Sequence, residues 1–291
     1  MASQQRSIDS LFGYRSTAAE VVKEIDLTGK TAVVTGGYSG IGTETVRALT
    51  SVGAHVIVGA HVIVGARRPD VAQVNLTDIV GAVTILPLDL GEPVSIDTFS
   101  EAVSSRIEQL DILINNAAVM AIPLTRDERG YESQFAINHL GHFQLTARLW
   151  PLLTAAHSAR VIALTSSAHS GNGLDIDDLN FERRAYQKWT AYSQAKSANA
   201  LFALSLDKIG EPHGVRAFAV DPGAIDTPLQ RHMTDEEKVA MGWMDAGYAT
   251  FLFALGIMVL ARLGQTDILY VDSIRGFLTM VAGFFAYREM R

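Results

Sequence analysis

The chain reads as an α/β fold, a doubly wound, mostly parallel, seven-stranded sheet with helices on both faces, in a single domain. Three observations predict this. Short apolar runs alternate with longer helical patterns from residue 31 onward. A glycine-rich turn follows the first of those runs. No composition shift marks a linker, and 291 residues are enough for one large domain.

Residues 1–26 are expected to form a loose arm and a short helix, with 27–291 making the single domain. Thr17-Ala18-Ala19-Glu20 carries the capping-box pattern and starts that helix at Ala18, running to about Ile25. Thr31-Ala32-Val33-Val34-Thr35 is apolar and bounded by glycines, the pattern of a buried strand. A helix follows over 41–51. Further strands are expected at 56–64, 83–88, 111–115, 161–165, 215–220 and 267–271. Helices are expected at 93–107, 129–153 and 185–210, where Ala, Leu, Lys and Gln are frequent in the last. Strands that alternate with helices are joined by crossovers, which makes the sheet parallel and covers both its faces.

The second strand contains a tandem repeat. Gly53-Ala54-His55-Val56-Ile57-Val58 is followed at once by an identical hexamer over 59–64. Six is even, so a slip by one copy keeps every side chain on its own face. Both registers are compatible with the pattern. The second copy is expected in the sheet, because it leads directly into Arg67.

Composition narrows the function classes. The net charge of −7 argues against a nucleic-acid surface. The absence of cysteine excludes disulfides, thiolate metal sites and cysteine nucleophiles, and fits a reducing compartment. Residues 1–20 lack the apolar core of a secretory signal, so a cytoplasmic location is expected. Residues 246–261 carry no charge, and 276–287 are largely apolar, but both are shorter than the ~20 residues of a membrane span. Buried core helices are favoured there over attachment to a membrane surface. An apolar surface on 246–263 is also compatible with a homo-oligomer. His139 and His142 stand three apart on a helix without a carboxylate at metal-ligand spacing, so no metal site is expected.

The residues that can carry chemistry cluster at strand ends. Gly36, Tyr38, Ser39, Gly40, Ile41 and Gly42 form the turn between the first strand and its helix. Glycines there let the backbone approach a pyrophosphate, which then faces the helix N-terminus. Arg67-Arg68 follows the second strand, where an Arg meets a 2′-phosphate and an acid would meet a 2′-hydroxyl. NADP(H) is therefore preferred, with NAD(H) as the alternative. Asp89-Leu90 follows the third strand, placed either to reach an adenine amino group or to start the next helix. Asn116 and Ala117 close the fourth strand with small residues against which a nicotinamide ribose fits. Ser166 follows the fifth. Tyr192 and Lys196 are i and i+4 on the long helix, so they share a face. A nearby ammonium favours a phenolate and lowers the phenol from its free value of about 10.

Thr35–Gly42, 115–118, Asn138, Thr165-Ser166-Ser167, Tyr192–Lys196 and 221–227 occur in the order of the short-chain dehydrogenase/reductase family. The chain resembles that family over about 27–229, and its retinol-dehydrogenase-like branch most. The Ser-Ser-Ala-His run at 166–169 and the 26-residue spacing from Ser166 to Tyr192 are similar to that branch. The resemblance implies a Rossmann-like fold and a catalytic tetrad of Asn138, Ser166, Tyr192 and Lys196. It implies Tyr192 as acid/base, Ser166 on the substrate oxygen, Lys196 on the nicotinamide ribose and Asn138 on a water linking Lys196 to solvent. Pro222, Gly223 and Thr227 are implied at the nicotinamide end. The implied function is an NADP(H)-dependent oxidoreductase interconverting an alcohol and a carbonyl on a small, largely apolar substrate. The alternative is a non-catalytic NADP(H)-sensing or partner-binding protein on the same fold.

Overall fold

The computed structural model describes residues 17–60, 69–223 and 225–240. Helix α1 (Ala18–Val22) opens the described chain. Its capping box closes in both directions. The Thr17 N–H donates to Glu20 Oε2 at 2.7 Å, and the Glu20 N–H donates to Thr17 Oγ1 at 3.2 Å.

Strand β1 (Thr31–Thr35) then leads into α2 (Ile41–Ser51), β2 (His55–Ala60), α3 (Pro69–Asn75), β3 (Val83–Pro87), α4 (Pro93–Ser104) and β4 (Ile112–Asn115). After β4 come the short α5 (Ser133–Phe135), a π-helical turn (Ala136–Leu140) and α6 (Gly141–Ala155). They are followed by β5 (Arg160–Leu164), α7 (His169–Asn172), α8 (Lys188–Gly210) and β6 (Arg216–Val220). A 3-10 turn (Pro228–His232) and α9 (Asp235–Ala240) end the described chain.

The six described strands are parallel in the order β3-β2-β1-β4-β5-β6. Side chains alternate between the faces along each strand. Val34, Ile114 and Ile162 pack with Val46 and Leu49 of α2 on one face. Val33, Leu113 and Val161 pack with Phe99 of α4 and Leu145 and Leu149 of α6 on the other. Strand order reverses between β1 and β4, and in such sheets the crevice outside the strand C-termini receives ligands.

Three expectations are corrected. The first hexamer copy, not the second, pairs with β1, with Thr31 opposite His55 and Thr35 opposite Gly59. The turn after α2 leaves no slack for six more residues. Gly53 takes a φ of +89°, Ala54 N–H donates to Leu49 O at 3.2 Å, and His55 N–H donates to Lys30 O at 2.9 Å. The helix expected over 129–153 starts only at Ser133. Gly130 has a φ of +88°, and the Glu132 carboxylate caps the Gln134 and Phe135 N–H groups at 3.0 and 2.8 Å. That helix is also interrupted by the π turn, which periodicity alone does not reveal. The strand expected at 267–271 and the apolar stretches after 246 lie outside the described residues, as do Arg67 and Arg68.

Candidate active site

The C-terminal ends of β1, β4 and β5 border a cavity of about 330 Å³. Gly36, Tyr38, Ser39, Gly40 and Ile41 form one wall. Asn116 and Ala117 form the floor, and Tyr192, Lys196, Pro222 and Thr227 close the opposite side. Gly42 lies beneath the turn, where a Cβ would collide with the Gly36 carbonyl. A Cβ on Gly36 would stand 3.1 Å from Ala117, and one on Gly40 would stand 3.2 Å from Thr227. Gly40 caps α2 with a φ of 53° and offers no side-chain acceptor to its first amides. A glycine cradle at an open helix N-terminus is what a dinucleotide diphosphate requires.

Thr35, fully buried, ties the turn to the floor. Its Oγ1 accepts from Asn116 N–H at 2.9 Å and Ala117 N–H at 3.0 Å. His142 Nε2 lies 2.9 Å from the same oxygen, and His142 Nδ1 lies 3.0 Å from the carbonyl of Asn138. With both acceptor sites of Thr35 Oγ1 filled, its own proton goes to Nε2, and Nδ1 then donates to Asn138. His142 thus joins the glycine turn to the π-helical turn. No spacing in the sequence signalled this role.

Asn138 is buried, with both ends of its amide committed. Oδ1 accepts from Val119 N–H at 2.8 Å, and Nδ2 donates to Val119 O at 2.9 Å. These two bonds fix the chain after β4.

Helix α8 is clamped to the end of β5. Lys196 Nζ donates to Leu164 O at 2.9 Å, and Thr165 Oγ1 donates to Lys196 O at 2.7 Å. Ser193 Oγ donates to Ala168 O at 2.6 Å and Ser197 Oγ to His169 O at 3.0 Å, which holds the 166–169 loop against the helix. Ser166 is thereby brought near the Tyr192 phenol, which its hydroxyl acts to lower.

The electrostatics differ from the sequence-based expectation. Burial pushes the Tyr192 phenol up, against the lowering effect of the Ser166 hydrogen bond, and the Asp221 charge adds to the rise. Burial outweighs any lowering by a neighbouring ammonium, because removal from water penalises the phenolate itself. Burial also brings Lys196 down to about 8, with Asp221 opposing. Asp221, at the end of β6, was legible only as part of a motif. It is buried and raised by that burial, although Gly223 N–H donates to its Oδ1 at 2.9 Å.

The remaining expected residues stand off the cavity wall. Asp89 accepts from Gly91 N–H at 2.9 Å and so shapes the turn into α4, while Leu90 is fully buried in the core. Gly223 adopts a φ of +75° behind Pro222. His139 packs against Phe135 and Phe202, 5.1 and 6.1 Å between ring centroids.

A sequence model of the family described as short chain dehydrogenase matches residues 30–238. The chain belongs to the short chain dehydrogenase family. It is an oxidoreductase of the NAD(P)-binding, Rossmann-like kind, with a small-molecule substrate. This dehydrogenase is 43% identical over 222 residues to a protein called "Probable oxidoreductase" from Streptomyces antibioticus, covering 76% of this chain and 73% of that one. It is 37% identical over 233 residues to retinol dehydrogenase 13 of Mus musculus, covering 78% and 68%. Among solved structures it is similar to an uncharacterized protein from Mycobacterium Paratuberculosis. The two are 29% identical with a TM-score of 0.67, covering 94% of this chain and 96% of that one. Among the described residues of the dehydrogenase, no helix is long and apolar enough to cross a membrane.

Proposed function

We propose that this dehydrogenase interconverts an alcohol and a carbonyl on an apolar substrate, with NADP(H) as its preferred partner. The observation that carries the proposal is the convergence of Ser166, Tyr192 and Lys196 beside a glycine-cradled cavity. When bound, the cofactor supplies the hydride acceptor or donor. In oxidation, the C–H bond of the alcohol breaks with its electron pair, which the bound cofactor takes, and the hydroxyl proton passes to the Tyr192 oxygen in its phenolate form, the form that burial makes scarcer. In reduction, Tyr192 returns that proton to the carbonyl oxygen. Ser166 turns its hydroxyl toward the same oxygen and steadies its charge. Lys196 would hold the nicotinamide ribose of a bound cofactor, and Asn138 keeps the loop at Val119 in place.

The apolar substrate class is supported by what surrounds the phenol. Met120, Ala121 and Met233 are buried against Tyr192, and Trp189 and Leu229 pack on the same cluster. Retinal and retinol are suitable probes, given the name of the mouse relative. The NADP(H) preference rests on Arg67 and Arg68. Because Arg67 and Arg68 lie outside the described residues, NAD(H) stands as the second reading.

The test is cofactor-linked absorbance with retinal plus NADPH, and with retinol plus NADP⁺, alongside a sugar aldehyde. Turnover of the apolar pair alone is expected. NADPH binding without turnover of any probe would sink the catalytic reading in favour of a nucleotide sensor.

A further inference from the structure

One cation on the cavity wall has no place in the tetrad. Arg231 lies in the turn Pro228–His232, four residues beyond Thr227, and lines the cavity together with the glycine turn. The backbone carrying it is fixed. Leu229 N–H donates to Thr227 Oγ1 at 3.3 Å, and the buried Gln230 donates from Nε2 to Ile225 O at 3.0 Å. Thr227 occupies the space a Cβ on Gly40 would need, so the two turns abut.

The guanidinium is exposed, and its hydrogen bond is to the carbonyl of Pro228, at 3.0 Å. No carboxylate among the described residues forms an ion pair with it, and none lines the cavity. Its charge reaches the Tyr38 phenol of the glycine turn, where burial raises that phenol and Arg231 acts against the rise. The N-terminus of the eleven-residue helix α2 opens onto the same cavity. A helix N-terminus carries partial positive charge, so two positive features border a cavity whose lining holds no carboxylate, although the Asp89 charge also reaches Tyr38. Lys196, the other cation on the wall, is committed to Leu164 at the Tyr192 end.

We propose that Arg231, on the turn that abuts Gly40, binds the diphosphate of the dinucleotide cofactor and holds it at the N-terminus of α2. The proposal rests on the dinucleotide reading of the cavity. It assigns cofactor affinity to a group that NADP(H) and NAD(H) share, independent of any 2′-phosphate recognition. Guanidinium forks suit diphosphate oxygens, and a charge-assisted hydrogen bond contributes more than a neutral one.

The test is a tryptophan-fluorescence titration of the full chain and of Arg231→Gln and Arg231→Lys with NADPH, NADH and ADP-ribose. Arg231→Gln is expected to weaken all three by about 10- to 50-fold, with Arg231→Lys between it and the wild type. Raising the salt concentration should narrow the gap between wild type and Arg231→Gln. Weakening of NADPH alone assigns Arg231 to the 2′-phosphate and overturns the proposal, as does equal binding by all three chains. A wild type that binds none of the ligands overturns the dinucleotide reading together with this one.

Discussion

Lys196 Nζ lies 5.6 Å from the centroid of the Tyr192 ring and donates at 2.9 Å to the carbonyl of Leu164. The amine is thus held by the end of β5, while the phenol is carried one helical turn away on α8. Their separation is set by helix-on-sheet packing rather than by attraction between them. Two buried, proton-active groups are held in a fixed geometry next to the cavity.

Replacing Tyr192 with Phe removes only the phenol oxygen and preserves the ring contact with Trp189, whose centroid is 6.3 Å away. Turnover should fall by about 10²- to 10⁴-fold, the scale of a lost acid/base. Cofactor titration by tryptophan fluorescence should stay within about twofold of wild type. Retained turnover removes Tyr192 from the mechanism.

Lys196 is held at about 8 against an ordinary value of 10.5. Between those values the unfolded chain binds the extra proton, so this group's contribution to stability rises with pH across the window. Tyr192 acts oppositely only above its ordinary 10.0, where the folded chain keeps its proton longer. Urea unfolding from pH 8 to 10 should therefore show Lys196→Met losing its advantage over wild type by on the order of 2–3 kcal/mol. Parallel stability profiles for the two chains would exclude a depressed lysine.

Asp221 raises both Tyr192 and Lys196 through its charge. Asp221→Asn removes that charge, which favours the phenolate and disfavours the ammonium. Both groups move down. The pH profile of kcat for alcohol oxidation should rise at lower pH than in wild type. A limb that stays in place or moves to higher pH contradicts the assignment.

The register of β2 makes a prediction about cofactor choice. Gly59 pairs with Leu86 and Ala60 with Pro87. Deleting residues 59–64 replaces them with Gly65 and Ala66, the same residue types, and puts Arg67 directly after the strand. In that variant Arg67→Gln should weaken NADPH by about 10- to 100-fold, the scale of one Arg–phosphate contact, and the same change in the full chain should do likewise. NADH binding should stay level in both. Equal losses for both cofactors would argue against 2′-phosphate recognition by Arg67.

Much of the fold was legible in the chain because burial imposes periodicity. The run 31–35 and the helix 41–51 emerge in the structure with the expected bounds, since glycines mark their ends. Helix α3 was not foreseen, being only two turns long without a strong apolar stripe. The π turn at Ala136–Leu140 left no mark either, because the same residue types suit an uninterrupted helix.

For the site, the sequence by itself determined which chemistry-bearing residues exist and in what order they follow strand ends: the glycine turn, Asn116, Ser166, Tyr192 and Lys196. Spacing on one helix was enough to join Tyr192 to Lys196. What only the tertiary structure decided was the company those residues keep. Burial, which no linear pattern reports, pushes the Tyr192 phenol up instead of down. Asp221 reaches the pair from β6, His142 links Thr35 to Asn138, and Arg231 lines the cavity together with the glycine turn. These are contacts between distant segments, set by the order in which strands pair and by how closely backbones approach where glycine leaves room. The choice between two identical hexamers followed the same logic. Their side chains are equal, so the short turn after α2 selected the copy that could reach β1.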